Sequence, residues 1–383
     1  MKPKNMKQKK VLVAMSGGVD SSVAALLMKR LGFNVIGAFM KNYSDSKNEL
    51  TGECSWKEER GYAMKISALL GIPLITLDFE KEYKNFVVKK MFRDYKKGIT
   101  PNPDISCNEK VKFPLLIKAA KKLGADFVVT GHYSRIKKVK IRERKSANAG
   151  KKEFSYNLLR AKDESKDQSY FLYRLKQDEL KKLIFPIGDY TKKQVREIAL
   201  KEGFPNHDKK STVGICFIGK INLKRFLQKK IKPRKGKILN PSGEVVGEHD
   251  GIYYYTIGQR LGLRYGFDLK KSGGDKKFLR KWYVAQKDAI KNIIIAAPEG
   301  HKILYRKEIF LKNTHWVNEK PKNNMKVLAR IRQVGELLPS KIMINRNKIK
   351  IVLNIAITGI SEGQAVVLYS GKKVLGGGEI MFS

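Results

Sequence analysis

The residues best suited to chemistry stand near the amino terminus, in the stretch VLVAMSGGVDSSV. The apolar, β-branched run Val11–Met15 predicts a strand buried on both faces of a parallel sheet. Gly17 and Gly18 let a ligand approach the backbone, and three helix N-cap residue types follow them: Asp20, Ser21 and Ser22. A strand, a glycine turn and a helix start in this order aim backbone N–H groups at an anion. The alternative is an ordinary tight turn between a strand and a helix.

This stretch has neither the Gly-Lys-Ser/Thr ending of a Walker loop nor the G-x-G-x-x-G spacing of a Rossmann turn. It resembles the SGGxDS pyrophosphate loop of the PP-loop ATPase superfamily, which it matches without a gap from Ser16 to Ser22. That resemblance implies a reaction in which ATP is cleaved between its α and β phosphates. A substrate oxygen becomes adenylated and pyrophosphate is released.

Two of the three cysteines lie in informative surroundings. Cys107 lies in ITPNPDISCNEKVKF, where the two prolines predict an extended loop and an accessible thiol. Cys216 lies among apolar residues in STVGICFIGK, and core packing is an equally good interpretation of it. Cys54 has no supporting motif and is interpreted as incidental. Because the chain has three cysteines and no C-x-x-C, it is not a disulfide scaffold, and a zinc or cysteine-ligated iron–sulfur site is not expected.

The charge of the chain favours a polyanionic partner. Its 383 residues include 80 Lys and Arg against 36 Asp and Glu, a net charge of +44. Such an excess of cations favours nucleic acid, because cationic side chains release counterions from a phosphate backbone. A lysine-rich proteome, in which much of the charge is a solvated face, is the alternative. The basic amino terminus lacks a signal-peptide pattern and no apolar run could span a bilayer, so we expect a cytoplasmic protein without a membrane partner.

The hydrophobic pattern predicts an α/β fold followed by β-rich segments. Buried strands alternate with helices in the first third, which predicts a doubly wound parallel sheet. The strands are predicted at Val11–Met15, Asn34–Phe39, Pro73–Leu77 and Asp126–Thr130, and the helices at Trp56–Leu70 and Phe113–Leu123. The charged run Lys137–Glu153 indicates a loop or an exposed hairpin. The segment Gln177–Phe204 is typical of a helical region, with Thr191 as an N-cap.

Short strands and turns dominate the second half. Glycines, aromatics and alternating runs from Lys235 to Ala297 predict a small, mainly β module, and regular short strands after Pro298 favour a barrel or sandwich. We therefore predict three domains: residues 1–220, 221–297 and 298–383.

Five further segments, in order along the chain, resemble the tRNA-specific 2-thiouridylases. They are PNPDISCN around Cys107, GHY at Gly131–Tyr133, KDQSYFLY from Lys166, GICFIG around Cys216 and YTIGQRLGL from Tyr255. The resemblance implies a PP-loop domain of the adenine nucleotide alpha hydrolase type, a small mainly β central domain and a C-terminal β-barrel. It covers the chain from the glycine loop to the β modules.

The resemblance also implies a reaction. ATP adenylates the C2 oxygen of the wobble uridine of tRNA, and sulfur from a cysteine persulfide replaces that oxygen, giving 2-thiouridine, AMP and pyrophosphate. Cys216 would carry the persulfide, and Cys107 would be the nucleophile that attacks it, leaving a transient Cys107–Cys216 disulfide. Direct attack of the persulfide on C2 is the alternative. Asp104 fits beside the target base as its acid or base.

Site residues follow from the same resemblance, residue by residue. The ATP site would comprise Ala14, Met15, Ser16, Gly17, Gly18, Val19, Asp20, Ser21, Met40 and Gly131. Contacts with the target base or the rest of the tRNA would come from Asn102, Pro103, Asp104, His132, Lys166, Asp167, Gln168, Arg330, Ile331 and Gln364. Packing in the core is the alternative for Met40, a structural role for His132, and a solvated strand face for Arg330 and Gln364.

The expected cofactors are ATP and Mg²⁺, without a dedicated metal cage. The expected partners are tRNA, of the glutamate, lysine and glutamine types, and an upstream persulfide donor, either a cysteine desulfurase or a relay protein. We expect a monomer. The family usually has an Asp-Ser segment before the second cysteine, whereas this chain has Lys210, Ser211, Thr212 and Val213.

Two other function classes remain for comparison. One is another PP-loop enzyme, such as an amidating NAD or GMP synthetase or a tRNA lysidine synthetase, none of which needs the two cysteines. The other is a catalytically inactive tRNA-binding protein, for which the glycine loop and both cysteines would be unnecessary. ATP consumption that depends on tRNA separates these alternatives.

Overall fold

The structure is a computed structural model of the chain, and it describes residues 9–44, 55–140, 154–210, 222–262, 281–346 and 348–382. Three sheets organise these residues. Two are five-stranded, and the third has eight strands. Among the described residues, no helix combines the length and apolar character needed to cross a lipid bilayer.

The first sheet is parallel, as predicted. Its strands in chain order are β1 (Lys10–Ala14), β2 (Asn34–Lys41), β3 (Leu74–Asp78), β4 (Phe127–Thr130) and β7 (Leu183–Ile184). They are arranged in the order β3-β2-β1-β4-β7, which places β1 and β4 side by side at the centre. Ligands of such sheets bind at the carboxyl ends of the strands.

Helices cover both faces of this sheet. The long ones are α1 (Val19–Arg30), α2 (Ser55–Leu70), α6 (Phe113–Lys122) and α8 (Lys192–Lys201). The short helices are α3 (Glu80–Tyr83), α4 (Lys89–Lys96), α5 (Pro103–Cys107), α7 (Gln177–Leu180) and α9 (Leu223–Gln228), of which α4 and α9 pack in a separate apolar cluster away from this sheet. Separate apolar clusters fill the two faces. The doubly wound prediction is confirmed.

The region Gln177–Phe204 is less helical than predicted. It contains α7, then the short edge strand β7, then α8. The N-cap prediction is confirmed, because the Thr191 hydroxyl accepts a hydrogen bond from the backbone N–H of Gln194 at 3.2 Å. Leu183 and Ile184 extend the parallel sheet beside β4 because their apolar side chains complete its core.

The charged segment after β4 forms a hairpin that leaves the first sheet. Its strands β5 (Ser134–Lys140) and β6 (Phe154–Arg160) pair antiparallel, and β6 adds to the edge of the C-terminal sheet at Lys373. Residues 141–153 of the predicted hairpin lie outside the described residues. The hairpin thus joins the first domain to the last, which the sequence did not indicate.

The middle sheet is mainly antiparallel. It consists of β8 (Gly236–Leu239), β9 (Val245–His249), β10 (Arg260–Leu261), β11 (Trp282–Asp288) and β12 (Ile293–Pro298), in the order β10-β11-β12-β8-β9. Its core is continuous with that of the π-helical turn Lys84–Val88 and α4. This module is therefore packed on the helices that follow β3.

The C-terminal segment closes into a six-stranded barrel, one of the two architectures predicted for it. Its strands are β13 (Tyr305–Trp316), β14 (Lys326–Arg330), β15 (Leu338–Asn345), β16 (Lys348–Thr358), β17 (Ala365–Ser370) and β18 (Lys373–Met381). The order is β13-β16-β15-β14-β17-β18, and pairing of β13 with β18 closes the ring. An apolar cluster fills its interior.

Candidate nucleotide and tRNA site

A tight glycine loop joins β1 to α1 at the carboxyl edge of the parallel sheet. Gly17 has φ +79°, and a Cβ atom there would lie 2.2 Å from the backbone oxygen of Glu59. Gly131 directly follows β4, and a Cβ atom there would lie 2.7 Å from the backbone nitrogen of Ser21. Both predicted nucleotide positions therefore require glycine, because the backbone segments around them approach too closely for a side chain.

The start of α1 differs from the prediction. The helix begins at Val19 with Gly18 as N-cap, so Asp20, Ser21 and Ser22 are in the first turn rather than at the cap. The two serine hydroxyls donate to the Gly18 carbonyl oxygen at 2.9 and 3.1 Å, and no side chain of the described residues caps this helix. The first N–H groups of a helix lack partners inside it. An uncapped start of a 12-residue helix fits a phosphate group.

The other residues predicted for the nucleotide site contribute mainly backbone. Ala14 and Met15 lie at the end of β1, and Met15 is buried, with its N–H donating to the Ala38 carbonyl oxygen at 2.9 Å. The Ser16 N–H donates to the Ser21 hydroxyl oxygen at 3.1 Å. Met40 is buried in the core under the sheet, which agrees with the packing interpretation of this residue. Its contact with a nucleotide stays a prediction.

Asp20 has two partners that the sequence did not indicate. The ammonium group of Lys192 lies 2.6 and 2.8 Å from its two carboxylate oxygens, and the Tyr133 hydroxyl donates to Oδ1 at 2.8 Å. Burial, and then the Asp20 carboxylate beside it, raises the pKa of Tyr133, so that the hydroxyl remains a donor. Thr191 caps α8 and so places Lys192 at the first helical position, but no sequence signal aims it at Asp20.

Asn206 supports the glycine loop from behind, and sequence analysis missed it. Its side-chain amide is fully buried and donates to the Gly17 carbonyl oxygen at 2.9 Å and to the Ser22 hydroxyl at 3.0 Å. Lys209 lies 3.0 Å from the Glu59 carboxylate, whose pKa is raised by burial. The segment Asn206–Lys209 therefore packs against the glycine loop and α2. The residues that follow Lys210, 211–221, lie outside the described residues.

Cys107 lies at the end of a helix, not on an extended loop as predicted. Asn102 caps α5 by accepting the Ile105 N–H at 3.2 Å, and Pro103 is at the first helical position, where its missing N–H costs nothing. Asp104 is in the first turn, partly exposed. The Cys107 side chain has 0% exposure and belongs to the apolar cluster of the middle module. The predicted accessible thiol is wrong for this conformation, because the helix turns it inward.

The segment in front of α5 is held by the barrel and the middle module together. The side-chain amide of Gln364 donates to the carbonyl oxygens of Thr100 and Pro101, each at 3.0 Å. The Thr100 hydroxyl lies 3.3 Å from that of Thr256, in the YTIGQR segment. Gln364, partly exposed at the residue before β17, therefore contacts backbone with its amide rather than solvent alone. The tRNA contact predicted for it stays a prediction.

Asp167 and Arg330 form a buried ion pair between the first domain and the barrel. Arg330 Nη1 lies 2.7 Å from Asp167 Oδ2, and the two side chains are 5% and 0% exposed. The solvated strand face considered for Arg330 is wrong, because its guanidinium points into the domain junction. Little surface of either side chain is left for nucleic acid to contact. Neighbouring Lys166, by contrast, is exposed, as a phosphate contact requires.

Ile331 and His132, two further residues predicted to contact tRNA, make their contacts within the protein. Ile331 is buried, and its carbonyl oxygen accepts the Tyr170 hydroxyl at 3.3 Å. His132 packs its ring on Phe113, with 5.6 Å between ring centroids, and Nδ1 lies 2.6 Å from the Thr130 hydroxyl oxygen. Burial, assisted by the nearby charge of Lys112, lowers the pKa of His132 well below its usual value, so the ring is neutral. The structural interpretation of His132 fits these contacts.

A cleft of about 400 Å³ opens between α4, α5 and the barrel. Asn102, Ile105 and Ser106 form one wall, and Gly363 and Ala365 another. Its charged lining side chains are mainly basic: Lys89, Lys90, Arg93, Lys110 and Arg174 against Glu109 and Glu379. The cleft therefore presents a positive surface beside the residue predicted to meet the target base.

The second predicted cysteine, Cys216, lies outside the described residues, and so do Cys54 and the altered segment from Ser211 to Val213. The predicted disulfide between Cys107 and Cys216 therefore stays a prediction. Lys210 is the last described residue before this segment.

Comparison with known proteins identifies each part of the chain. Residues 9–220 match the family described as tRNA methyl transferase HUP domain, and residues 224–298 match the tRNA methyl transferase PRC-barrel domain. Residues 306–380 match the aminomethyltransferase beta-barrel domain. The parallel sheet of the first match and the closed barrel of the third agree with these descriptions, whereas the middle sheet has no pairing that closes it among the described residues.

Curated relatives match along almost the whole chain. The chain is 39% identical to the tRNA-specific 2-thiouridylase MnmA of Lactobacillus helveticus, over 97% of this chain and 95% of that protein. It is 38% identical to MnmA 2 of Aliarcobacter butzleri, over 98% and 99%. It is 40% identical to MnmA of Karelsulcia muelleri, over 98% and 100%. The chain belongs to the tRNA-specific 2-thiouridylase family.

Proposed function

We propose that this protein is a tRNA-uridine 2-sulfurtransferase that uses ATP to convert the wobble uridine of tRNA to 2-thiouridine. The observation that supports the proposal is that the glycine loop and the segment after Cys107 lie against each other at the carboxyl edge of the parallel sheet. Gly131 abuts the first turn of α1, and the next residue, His132, packs on Phe113, the first residue of α6 and six positions after Cys107. A nucleotide at the loop and a base beside Asp104 would therefore share one edge.

The first half-reaction is adenylation. A carbonyl oxygen is a poor leaving group, so the uridine C2 oxygen attacks the α-phosphorus of ATP and pyrophosphate leaves. The uncapped start of α1 and the glycine backbone would bind the phosphates. Mg²⁺ is proposed to enter with ATP, and Asp20 supplies the kind of oxygen ligand that it prefers. In the described structure that carboxylate is paired with Lys192.

The second half-reaction delivers sulfur. Cys216 is proposed to carry a persulfide from an upstream donor, and the Cys107 thiolate attacks its inner sulfur. A disulfide forms between the two cysteines and hydrosulfide leaves. The hydrosulfide attacks C2 and AMP leaves, giving 2-thiouridine. A dithiol reductant must then reduce the disulfide before another cycle. Direct attack of the persulfide on C2, followed by resolution by Cys107, is the alternative order.

Because Cys107 is buried in this conformation, the proposed reaction requires α5 or its cover to move when tRNA binds. The extruded base would enter beside Asn102 and Asp104. The positive cleft on the other side of Asn102 would bind backbone phosphates of the same tRNA. The proposed substrates are the glutamate, lysine and glutamine tRNAs. We propose that the protein acts as a monomer. A cytoplasmic location is proposed because the substrate is tRNA.

The test of this proposal is the stoichiometry of nucleotide release. Incubation with unmodified tRNA, ATP, Mg²⁺ and sulfide should release one AMP and one pyrophosphate for each 2-thiouridine formed, and none without tRNA. Release of ADP and phosphate, or tRNA binding without nucleotide turnover, would contradict it. The second outcome would favour the inactive tRNA-binding protein.

A further inference from the structure

The ion pair between Asp167 and Arg330 is the first link of a continuous chain of contacts. Oδ1 of Asp167 accepts the backbone N–H groups of Ala161 and Ser169 at 3.0 and 3.2 Å, and Oδ2 accepts the Ser169 hydroxyl at 3.0 Å. Gln333, in the loop after β14, donates to the Asp167 carbonyl oxygen. Arg330 and Gln333 of the barrel therefore contact the side chain and the backbone of Asp167, whose carboxylate is also held by its own segment.

The second link runs from the next residue along the chain. The Gln168 backbone N–H donates to the Tyr133 carbonyl oxygen at 2.8 Å, and the Tyr133 N–H donates to the Gln168 side-chain oxygen at 2.9 Å. These two bonds join Gln168 and Tyr133 in both directions. A displacement of the Lys166–Gln168 segment must therefore move the backbone of Tyr133.

The third link reaches the nucleotide loop. Tyr133 is 2% exposed, and its hydroxyl donates to Asp20 Oδ1 at 2.8 Å. Asp20 is in the first turn of α1, and Gly131, two residues before Tyr133, abuts the same turn. The path from the barrel to the nucleotide loop therefore consists of close contacts from Arg330 through Asp167, Gln168 and Tyr133 to Asp20.

We propose that this path couples the two substrates: tRNA bound at the barrel side and ATP bound at the glycine loop strengthen each other's binding through Tyr133, which acts as a positioning residue. The proposal rests on the proposed function for the identity of the two ligands. Lys166 is exposed beside Asp167, so a tRNA phosphate bound there would act on the same segment. At the other end, ATP bound at the glycine loop would lie beside Asp20, whose carboxylate accepts the Tyr133 hydroxyl.

The coupling must be reciprocal. If ATP raises the affinity for tRNA by some factor, tRNA raises the affinity for ATP by the same factor. Buried, well-packed links have few alternative arrangements, so a shift at one end is transmitted rather than absorbed. The hydroxyl of Tyr133 is the one polar group whose removal interrupts the described path without emptying a core position, because phenylalanine keeps the ring.

The experiment measures tRNA binding with and without nucleotide. The dissociation constant for unmodified tRNA is determined by fluorescence anisotropy, alone and with saturating α,β-methylene ATP and Mg²⁺, with no sulfur source. For the unaltered protein we expect a coupling factor of about five or more. For Tyr133→Phe we expect the factor to fall close to one, while the affinity for tRNA alone stays the same. A parallel titration of the analogue, with and without tRNA, should give the same factors.

Tyr254→Phe is the matched control, because that hydroxyl donates to the Ile231 carbonyl oxygen, at 2.7 Å, in a different part of the chain. It should keep the full coupling factor. Arg330→Lys tests the far end and should lower the factor as Tyr133→Phe does. The proposal is overturned if Tyr133→Phe keeps the factor of the unaltered protein, or if that protein has a factor of one. Binding is measured without turnover, so these outcomes are distinct from a failure to form 2-thiouridine.

Discussion

Lys192 and Asp20, 172 positions apart in the chain, form a close ion pair at the start of α1, with Nζ 2.6 Å from Oδ1 and 2.8 Å from Oδ2. The lysine side chain is 13% exposed and the aspartate 30%. The pair lies beside the N–H groups that are proposed to bind phosphate. Lys192 therefore balances the one carboxylate that the glycine loop brings to an anionic substrate.

Replacing Lys192 by methionine should weaken ATP binding. The Asp20 carboxylate would then repel the triphosphate, because its paired ammonium group is gone. We therefore expect the KM for ATP to rise about tenfold, or about 1.4 kcal/mol, with a smaller change in kcat. The measurement is tRNA-dependent AMP release as ATP is varied. Lys193→Met is the control, because this neighbouring lysine is 87% exposed and should leave the KM unchanged. An unchanged KM in Lys192→Met would contradict the role of the pair.

Gln364 should act on turnover rather than on tRNA affinity. Gln364→Glu replaces an amide that donates to two carbonyl oxygens by a carboxylate that repels them, which disturbs the segment leading into α5. Loss of two hydrogen bonds of about 1 kcal/mol each predicts a fall in kcat of about tenfold or more. The KM for tRNA should change little. Gln286→Glu makes the same exchange in β11 and should be neutral. A raised KM with normal kcat would instead support the direct tRNA contact.

Lys166 should contribute a phosphate contact. Lys166→Gln is expected to weaken tRNA binding at low salt and to reduce the slope of log Kd against log salt by about one. Lys121→Gln, an exposed lysine at the end of α6 and so at the opposite edge of the sheet, should leave the slope unchanged. If both variants bind tRNA as the unaltered protein does, Lys166 is not at the interface.

Lys287 should make the free energy of unfolding depend on pH in the alkaline range. Burial lowers the pKa of its ammonium group to about 8 from 10.5, and Nζ donates to the Tyr255 carbonyl oxygen at 2.8 Å. Between about pH 8 and 10.5 the unfolded chain binds more protons than the folded one, so the stability contributed at this site rises with pH. The rise is about 3 kcal/mol over the window, since each pKa unit corresponds to about 1.4 kcal/mol.

Thermal unfolding at pH 7.5 and pH 10 checks this prediction. Lys287→Met lacks the titrating group. The Tm of this variant minus the Tm of the unaltered protein should therefore be larger at pH 7.5 than at pH 10. Lys281→Met, an exposed lysine one residue before the same strand, should follow the unaltered protein at both values. Parallel pH dependence of the unaltered protein and Lys287→Met would contradict the lowered pKa.

Local patterns predicted the nucleotide domain well. The apolar strands, the glycine loop and the Thr191 cap depend on neighbouring residues, so the sequence displays them directly. The segment around Cys107 was misinterpreted because two prolines suggested an extended loop. The pair Asn102-Pro103 is instead an N-cap followed by proline at the first helical position, a signal for a helix start.

Contacts between distant parts of the chain were not predictable. Gln364 and Thr100 are 264 positions apart, and Arg330 and Asp167 are 163 apart. Each side chain is polar, so the sequence predicts that it is exposed. It is covered only because the barrel packs against the helices. The same holds for the pairing of β6 with β18, in which Leu159 lies opposite Lys373. Arg330 and Gln364, two of the residues predicted to contact tRNA, join the barrel to other parts of the chain, and their contact with tRNA stays a prediction.

The most direct measurement is nucleoside mass spectrometry of unmodified tRNA incubated with the protein, ATP, Mg²⁺, a cysteine desulfurase and cysteine. The account predicts 2-thiouridine that requires ATP and disappears in Cys216→Ser and Cys107→Ser. Free sulfide should restore some product in Cys216→Ser, because it bypasses the carrier. Full activity of both variants with the desulfurase, or no 2-thiouridine under any condition while tRNA still binds, would contradict the account.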